Sequence, residues 1–159
     1  MQAMEQTSGP YEFFTLIAVT YRALIDELHR ELARRGYDDL RPVHGFAFQR
    51  MTPEGATGND LANFLDITKQ AASQMIDYLE KRGYVTRRPH PRDKREKLVI
   101  LTEKGWACAH AAEETLARLE LRSAGLLGFE RMQAFRVDLY RLALLTNNGI
   151  MPARLRPIW

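Results

Sequence analysis

The sequence predicts a mainly α protein with one small β-hairpin wing, on three observations. Apolar residues recur at steps of three and four along most of the chain, the spacing of one helix face. The stretch 57–83 divides into two short amphipathic helices hinged at Asp66-Ile67-Thr68. The stretch 84–101 reads as two strands joined by Arg88-Pro89-His90-Pro91-Arg92-Asp93-Lys94-Arg95. Between Lys81 and Lys97 stand eight basic residues (Lys81, Arg82, Arg87, Arg88, Arg92, Lys94, Arg95, Lys97) against Asp93 and Glu96, a net +6 in a chain of net +3. Positive charge is focused on one element, as a surface for a nucleic-acid backbone requires.

The first helix is expected over 11–35, with Phe14, Ile17, Tyr21, Leu24, Leu28 and Leu32 on one face. Gly36 stops it, because glycine readily adopts the left-handed conformation that closes helices. Pro42 opens a second helix that continues over 43–51 with Phe46 and Phe48, and Thr52-Pro53-Glu54-Gly55 breaks the chain again. The third helix carries Leu61, Ala62 and Leu65. Thr68 is the expected N-cap of the fourth, which buries Ala72, Met75, Ile76 and Leu79 and ends at Gly83. Strands follow at 84–86 and 97–101, rich in β-formers, with Pro89 and Pro91 fitting a projecting connection. Thr102 caps a fifth helix running to about Ser123 along Ala109, Ala112, Leu116 and Leu119. A sixth, from Phe129 to about residue 146, carries Met132, Phe135, Leu139, Leu142 and Leu145.

Helices one, five and six carry more apolar surface than a monomer of 159 residues can cover. Part of each stripe must be core, and the excess predicts a homodimer paired through residues such as Ile17, Leu116, Leu119, Leu139 and Leu142. The expected division is a flexible segment 1–10, a helical dimerisation region at 11–36 and 102–146, a DNA-binding unit at 37–101, and a tail at 147–159. An apolar fraction of 45% and a charged fraction of 27% are those of an ordinary globular protein. No apolar run is long enough to span a bilayer, and residues 1–10 lack the order of a signal peptide, so a cytoplasmic location is expected. A single cysteine, Cys108, excludes an intramolecular disulfide and any multi-cysteine metal site.

A helix over 68–82 fits the major groove, where each base pair shows a distinguishable pattern. Thr68, Lys69, Gln70, Ser73 and Gln74 are placed to touch base edges or phosphates. Glutamines 70 and 74 suit adenine, and Lys69 suits guanine or a phosphate. Taken alone, such a row is only the solvated face of an amphipathic helix, but the basic hairpin follows it directly. Arg92 and Arg95 are the expected minor-groove residues, since a narrow groove concentrates negative potential. Asp93 is expected to orient Arg95. Arg87, Arg88, Lys94 and Lys97 are expected to contact phosphates and supply salt-sensitive affinity.

Asp93-Lys94-Arg95 followed by Leu98-Val99-Ile100-Leu101-Thr102-Glu103-Lys104-Gly105 resembles the D-x-R…L-T-x-x-G signature of the MarR (multiple antibiotic resistance regulator) family. Leu61-Ala62 to Leu65, Thr68 to Ser73 and Leu79-Glu80-Lys81-Arg82-Gly83-Tyr84-Val85 resemble its helix-turn-helix and strand entry, and the order of six helices and one wing matches along nearly the whole chain. The resemblance implies a homodimer of winged helix-turn-helix domains, paired through the first, fifth and sixth helices, on a pseudo-palindromic double-stranded DNA operator. It also implies a transcriptional repressor released by a small aromatic or amphipathic ligand lodged between the dimerisation and DNA-binding parts. Many members carry glycine where Asp66 stands and arginine where Gln74 stands, so their operator preference does not transfer. The segment 150–159, with Pro152, Pro157 and a terminal Trp159, matches no family pattern; it either packs across the partner subunit or stays disordered.

Phe14, Tyr21, His44, Phe48, Trp106 and His110 are the expected pocket residues, each of which also reads as ordinary core or surface. Cys108 lies some turns into its helix, away from the N-terminal position that lowers a thiol pKa, so it reads as structural rather than as a redox sensor. His44, Cys108, His110 and Glu114 offer a zinc-responsive alternative, resting on the one-turn spacing of the last two. No cofactor is expected. No phosphate-cradling glycine loop, nucleophile elbow or paired-carboxylate site is visible, and His29, His44, His90 and His110 form no triad-like motif, so an enzyme is not expected. A winged-helix protein-interaction adaptor is the remaining reading, opposed by the retained charge of the hairpin.

Overall fold

The computed structural model describes residues 11–92 and 95–145. In chain order they form α1 (Glu12–Arg34), α2 (Pro42–Met51), β1 (Ala56–Thr57), α3 (Gly58–Leu65), α4 (Lys69–Lys81), β2 (Val85–Pro89), β3 (Lys97–Leu101), α5 (Glu103–Leu127) and α6 (Phe129–Leu145). The expected segments 1–10 and 147–159 lie outside the described residues. The fold is the expected mainly α one with a β-hairpin wing behind a helix-turn-helix.

The turn between α3 and α4 follows from local chemistry. Thr57 and Asp60 cap α3 reciprocally: the Thr57 amide donates to Asp60 Oδ2 at 2.9 Å and the Asp60 amide to Thr57 Oγ1 at 3.1 Å. Asp66 closes α3 at φ 52° and ψ 45°, a left-handed conformation that aspartate tolerates better than most residues. Thr68 then caps α4, accepting the Ala71 amide at 3.1 Å.

The sheet is antiparallel in the order β1-β3-β2, with Ala56 opposite Val99 and Val85 opposite Leu101. Strand β1 was not expected, because two residues leave no period to detect. It pairs with β3 through Ala56 and Thr57, and the preceding Gly55 has a φ of 92° and lies so close to the Val99 carbonyl that no side chain fits there. Strand β2 runs three residues beyond the expected Thr86 and ends at Pro89, which an edge strand accommodates.

The core lies where α1, α2, α3, α4, the sheet and the first half of α5 meet, around Leu32, Phe48, Leu61, Leu79, Tyr84 and Val99. Helix α5 buries Gly105, Cys108, Ala111 and Thr115 most deeply, while Ala109 and Ala112 of the expected row pack against the same core half-buried and Leu116 is exposed. Small residues permit that approach: a Cβ on Gly105 would stand 2.1 Å from the Tyr84 carbonyl oxygen. The helix also continues past Ser123, whose hydroxyl bonds back to the Leu119 carbonyl at 2.9 Å, and stops at Gly128 with φ 87°. Helix α6 buries none of its 17 residues. Leu139 and Leu142 remain 41% and 38% exposed, and at the far end of α1 Phe14 and Ile17 are 69% and 42% exposed. The stripes of α1, α5 and α6 thus end on open surface within one chain.

Candidate nucleic-acid interface

Helix α4 packs Ala72, Met75, Ile76 and Leu79 into the core, exposing Thr68, Lys69, Gln70, Ser73, Gln74 and Asp77 on the opposite face. The apolar period sets this orientation, so the polar row follows from the same 3.6-residue repeat. Beside it the wing exposes Arg88, Arg92, Arg95 and Lys97. A cleft of about 350 Å³ separates helix from wing, and Lys69, Ser73, Arg87, Arg95 and Lys97 line it together with Thr57 and Asn59. Five of the residues singled out in the sequence therefore meet on one concave, largely cationic surface. Asp93 and Lys94, expected to orient Arg95 and to contact phosphate, lie outside the described residues.

Arg87, expected to contact phosphate, is engaged within the chain. Its guanidinium is paired with Asp77 and Glu80 of α4, and its amide donates to Glu80 Oε1 at 3.1 Å. Carboxylates of the preceding helix α4 engage it within the chain. Arg82 is likewise committed, pairing with Asp39 Oδ2 at 3.0 Å and lying 3.9 Å over the Tyr78 ring. Two of the eight basic residues counted in the sequence, Arg82 and Arg87, are thus engaged by carboxylates.

Three contributors escaped sequence reading. Asn59, at the N-terminus of α3, donates to Glu96 Oε1 at 3.0 Å and ties the cleft wall to the wing. Asp39, in the loop after α1, accepts the Tyr84 hydroxyl on Oδ1 at 2.7 Å, and its carbonyl accepts the Tyr78 hydroxyl at 2.6 Å. The third is the backbone seam under the wing, where Thr102 Oγ1 donates to the Gly83 carbonyl at 2.5 Å and accepts the Gly105 amide at 3.2 Å. The L-T-x-x-G part of the signature is that seam. Lone polar residues at helix starts and in loops give no periodic signal, so only the cap spacing of Thr102 was legible.

A second cavity, about 430 Å³, opens between α1, α2 and α5. Tyr21 and Phe48 line it with Leu28, Cys108, Ala112 and Leu116, so Leu116, expected at a dimer interface, also borders this cavity. Phe14, His44, Trp106 and His110 are not among its lining residues. His44 is instead buried against the Tyr78 ring at 5.2 Å, and its Nδ1 accepts the Arg41 amide at 3.0 Å. Burial, with Arg41 nearby, pushes the His44 imidazolium pKa down to about 4. Trp106 and His110 pack on each other, 5.8 Å between centroids.

Burial also pushes the Cys108 thiol up to about 11, the wrong direction for a reactive thiolate. Glu114 is engaged by Arg35 at 2.8 Å, and among the described residues no group of three or more His, Cys, Asp or Glu is placed to hold a metal ion. Among the described residues no helix is long and apolar enough to cross a membrane.

Residues 47–96 match the model of the MarR family. A riboflavin kinase of Thermoplasma volcanium is 40% identical over 63 residues, covering 40% of this chain and 27% of that protein. YdcH of Bacillus subtilis, an uncharacterised HTH-type transcriptional regulator, is 34% identical over 67 residues, covering 42% of this chain and 46% of the relative. The chain thus spans less than half the length of these curated relatives. Among solved structures, a complex of S. aureus MepR with DNA is similar with a TM-score of 0.66 at 20% identity, covering 85% of this chain and 97% of that one. The transcriptional repressor CouR bound to a 23-mer DNA duplex gives 0.67 at 23% identity, covering 86% and 99%. At such identities the likeness establishes a shared fold along nearly the whole chain.

Proposed function

From the match of residues 47–96 to the MarR family and the helix-turn-helix with its wing, we propose that this chain is a MarR-type, sequence-specific double-stranded DNA-binding transcriptional repressor. It acts as a homodimer on a pseudo-palindromic operator, in the cytoplasm, and a small aromatic or amphipathic ligand releases it. The observation that carries the reading is the single concave surface on which the α4 polar row and the wing cations meet. Such an arrangement lets a helix enter the major groove while basic residues track the adjacent backbone.

Dimerisation is supported by the open apolar surface on α1 and α6, which neither helix covers within one chain. A second winged helix on a two-fold axis would read the other half-site. Ligand control is supported by the cavity under α1, α2 and α5, whose lining is mostly apolar, with Tyr21, His29, Arg41 and Gln49 supplying polar groups. A ligand there releases DNA only if it binds the non-competent shape more tightly. The kinase match covers too little of that enzyme for its activity to carry over.

The test is fluorescence anisotropy of the full chain on a labelled duplex from upstream of its own gene, titrated with salt and scrambled competitor. Tight binding that survives scrambled competitor and saturates at one dimer per duplex is the expected result. Equal, weak binding to both duplexes would point instead to a winged-helix adaptor that keeps charge without specificity.

A further inference from the structure

Arg87 belongs to the wing by sequence and to helix α4 by its bonds. It sits in β2 opposite Val99, one residue before the Arg88–Leu98 and Pro89–Lys97 pairs that lead out to the wing tip. Its side chain spans two carboxylates, Asp77 and Glu80, and its amide is held by the second. Because β2 is an edge strand, that amide would otherwise face solvent, and Glu80 covers it. The three bonds join strand and helix by side chain and backbone at once.

Asp77 stands on the same face as Gln70, Ser73 and Gln74, three to seven residues further along α4, with its side chain 63% exposed. An uncompensated carboxylate there would repel the phosphates that the rest of the face is built to approach. Arg87 cancels it, and in doing so joins the two walls of the cleft to which Lys69, Ser73, Arg95 and Lys97 contribute.

We propose that Arg87 is a positioning residue: clamped by Asp77 and Glu80, it fixes the wing relative to α4 so that both meet one duplex together. The proposal rests on the DNA-binding reading above. It differs from a phosphate-contact role in a measurable way, because a residue that neutralises no phosphate releases no counterion.

The test is the anisotropy titration repeated over a sodium chloride series for the wild type, Arg87→Ala, Asp77→Asn and Glu80→Gln. Arg87→Ala is expected to bind the upstream duplex roughly tenfold more weakly, with an unchanged slope of log affinity against log salt. Asp77→Asn and Glu80→Gln should each weaken binding as well, although each removes a negative charge beside DNA. Adding either to Arg87→Ala should cost little more, the mark of groups acting as one unit. A slope reduced by about one in Arg87→Ala would identify a phosphate contact and overturn the proposal. So would unchanged affinity in that variant, or tighter binding in the carboxylate variants, where the guanidinium is set loose. The exposed Asp77→Asn change keeps the question decidable should Arg87→Ala fold poorly. Wild-type protein that binds no duplex specifically would instead defeat the DNA-binding reading itself, and the clamp's role with it.

Discussion

Single side chains divide here between those exposed on the candidate interface and those that keep the scaffold in shape. Gln70 lies in the first turns of α4 with its amide exposed, and Arg95 lines the cleft. Gln70→Ala should therefore erode discrimination between operator and scrambled duplex; equal loss on both would reduce it to a backbone contact. Arg95→Ala should weaken operator binding by roughly 1–3 kcal/mol, and unchanged affinity would remove the wing from recognition. His44 makes a prediction about stability. With its pKa lowered from 6.5 to about 4 by burial, the unfolded chain takes up the proton before the folded one does. Its contribution is complete above pH 6.5 and is lost as pH falls towards 4, about 3 kcal/mol in all. Urea unfolding at pH 7 and pH 5 should show the loss, and a His44→Gln variant should flatten it. An equal slope in the variant would place the titration elsewhere. That His44 serves the fold and not a pocket was not legible in sequence, where an imidazole on a short helix looks the same in either use.

Elements were legible in proportion to their length and periodicity. The α3–α4 hinge could be placed at Asp66-Ile67-Thr68 and Thr68 read as the cap of α4, because those residues act locally, whereas the reciprocal cap of Thr57 and Asp60 was not read. The face that α5 buries most deeply could not be placed, since it is chosen by the approach of a distant strand. Gly105 is where that choice is made, and Gly105→Ala would set a methyl group against the Tyr84 carbonyl. Backbone cannot yield as a flexible side chain can, so a loss of about 3 kcal/mol is expected by urea denaturation. A loss under about 0.5 kcal/mol would mean that α5 shifts freely on the sheet. The candidate site followed the same rule: the row on α4 and the wing cations were visible as composition and spacing. The pairing of Arg87 with Asp77 and Glu80 was not, because it depends on which way the wing folds back.

At the scale of the whole molecule the unburied helices dominate. None of the residues of α6 is buried, and Leu142 is among those left on the surface. Burying such a leucine is worth roughly 1.5–3 kcal/mol, and a two-fold interface counts it twice. Leu142→Glu should therefore raise the dimer dissociation constant by about a hundredfold or more, read by light scattering across a dilution series. A dimer that persists unchanged would assign the interface to other surface. The order in which α1 and α5 come together has a consequence in time. Arg35 and Glu114, which join the two helices, are 79 residues apart in the chain, whereas the winged helix closes through much nearer neighbours. At roughly 5–20 residues per second the wing emerges from the ribosome a few seconds before α6 is complete. A nascent chain in the proposed dimer would thus complete its wing and the first half of α5 before it held the means to pair. If the proposed function holds, competition for an operator begins only with paired chains, so occupancy follows the stock of completed protein and not the rate at which synthesis starts.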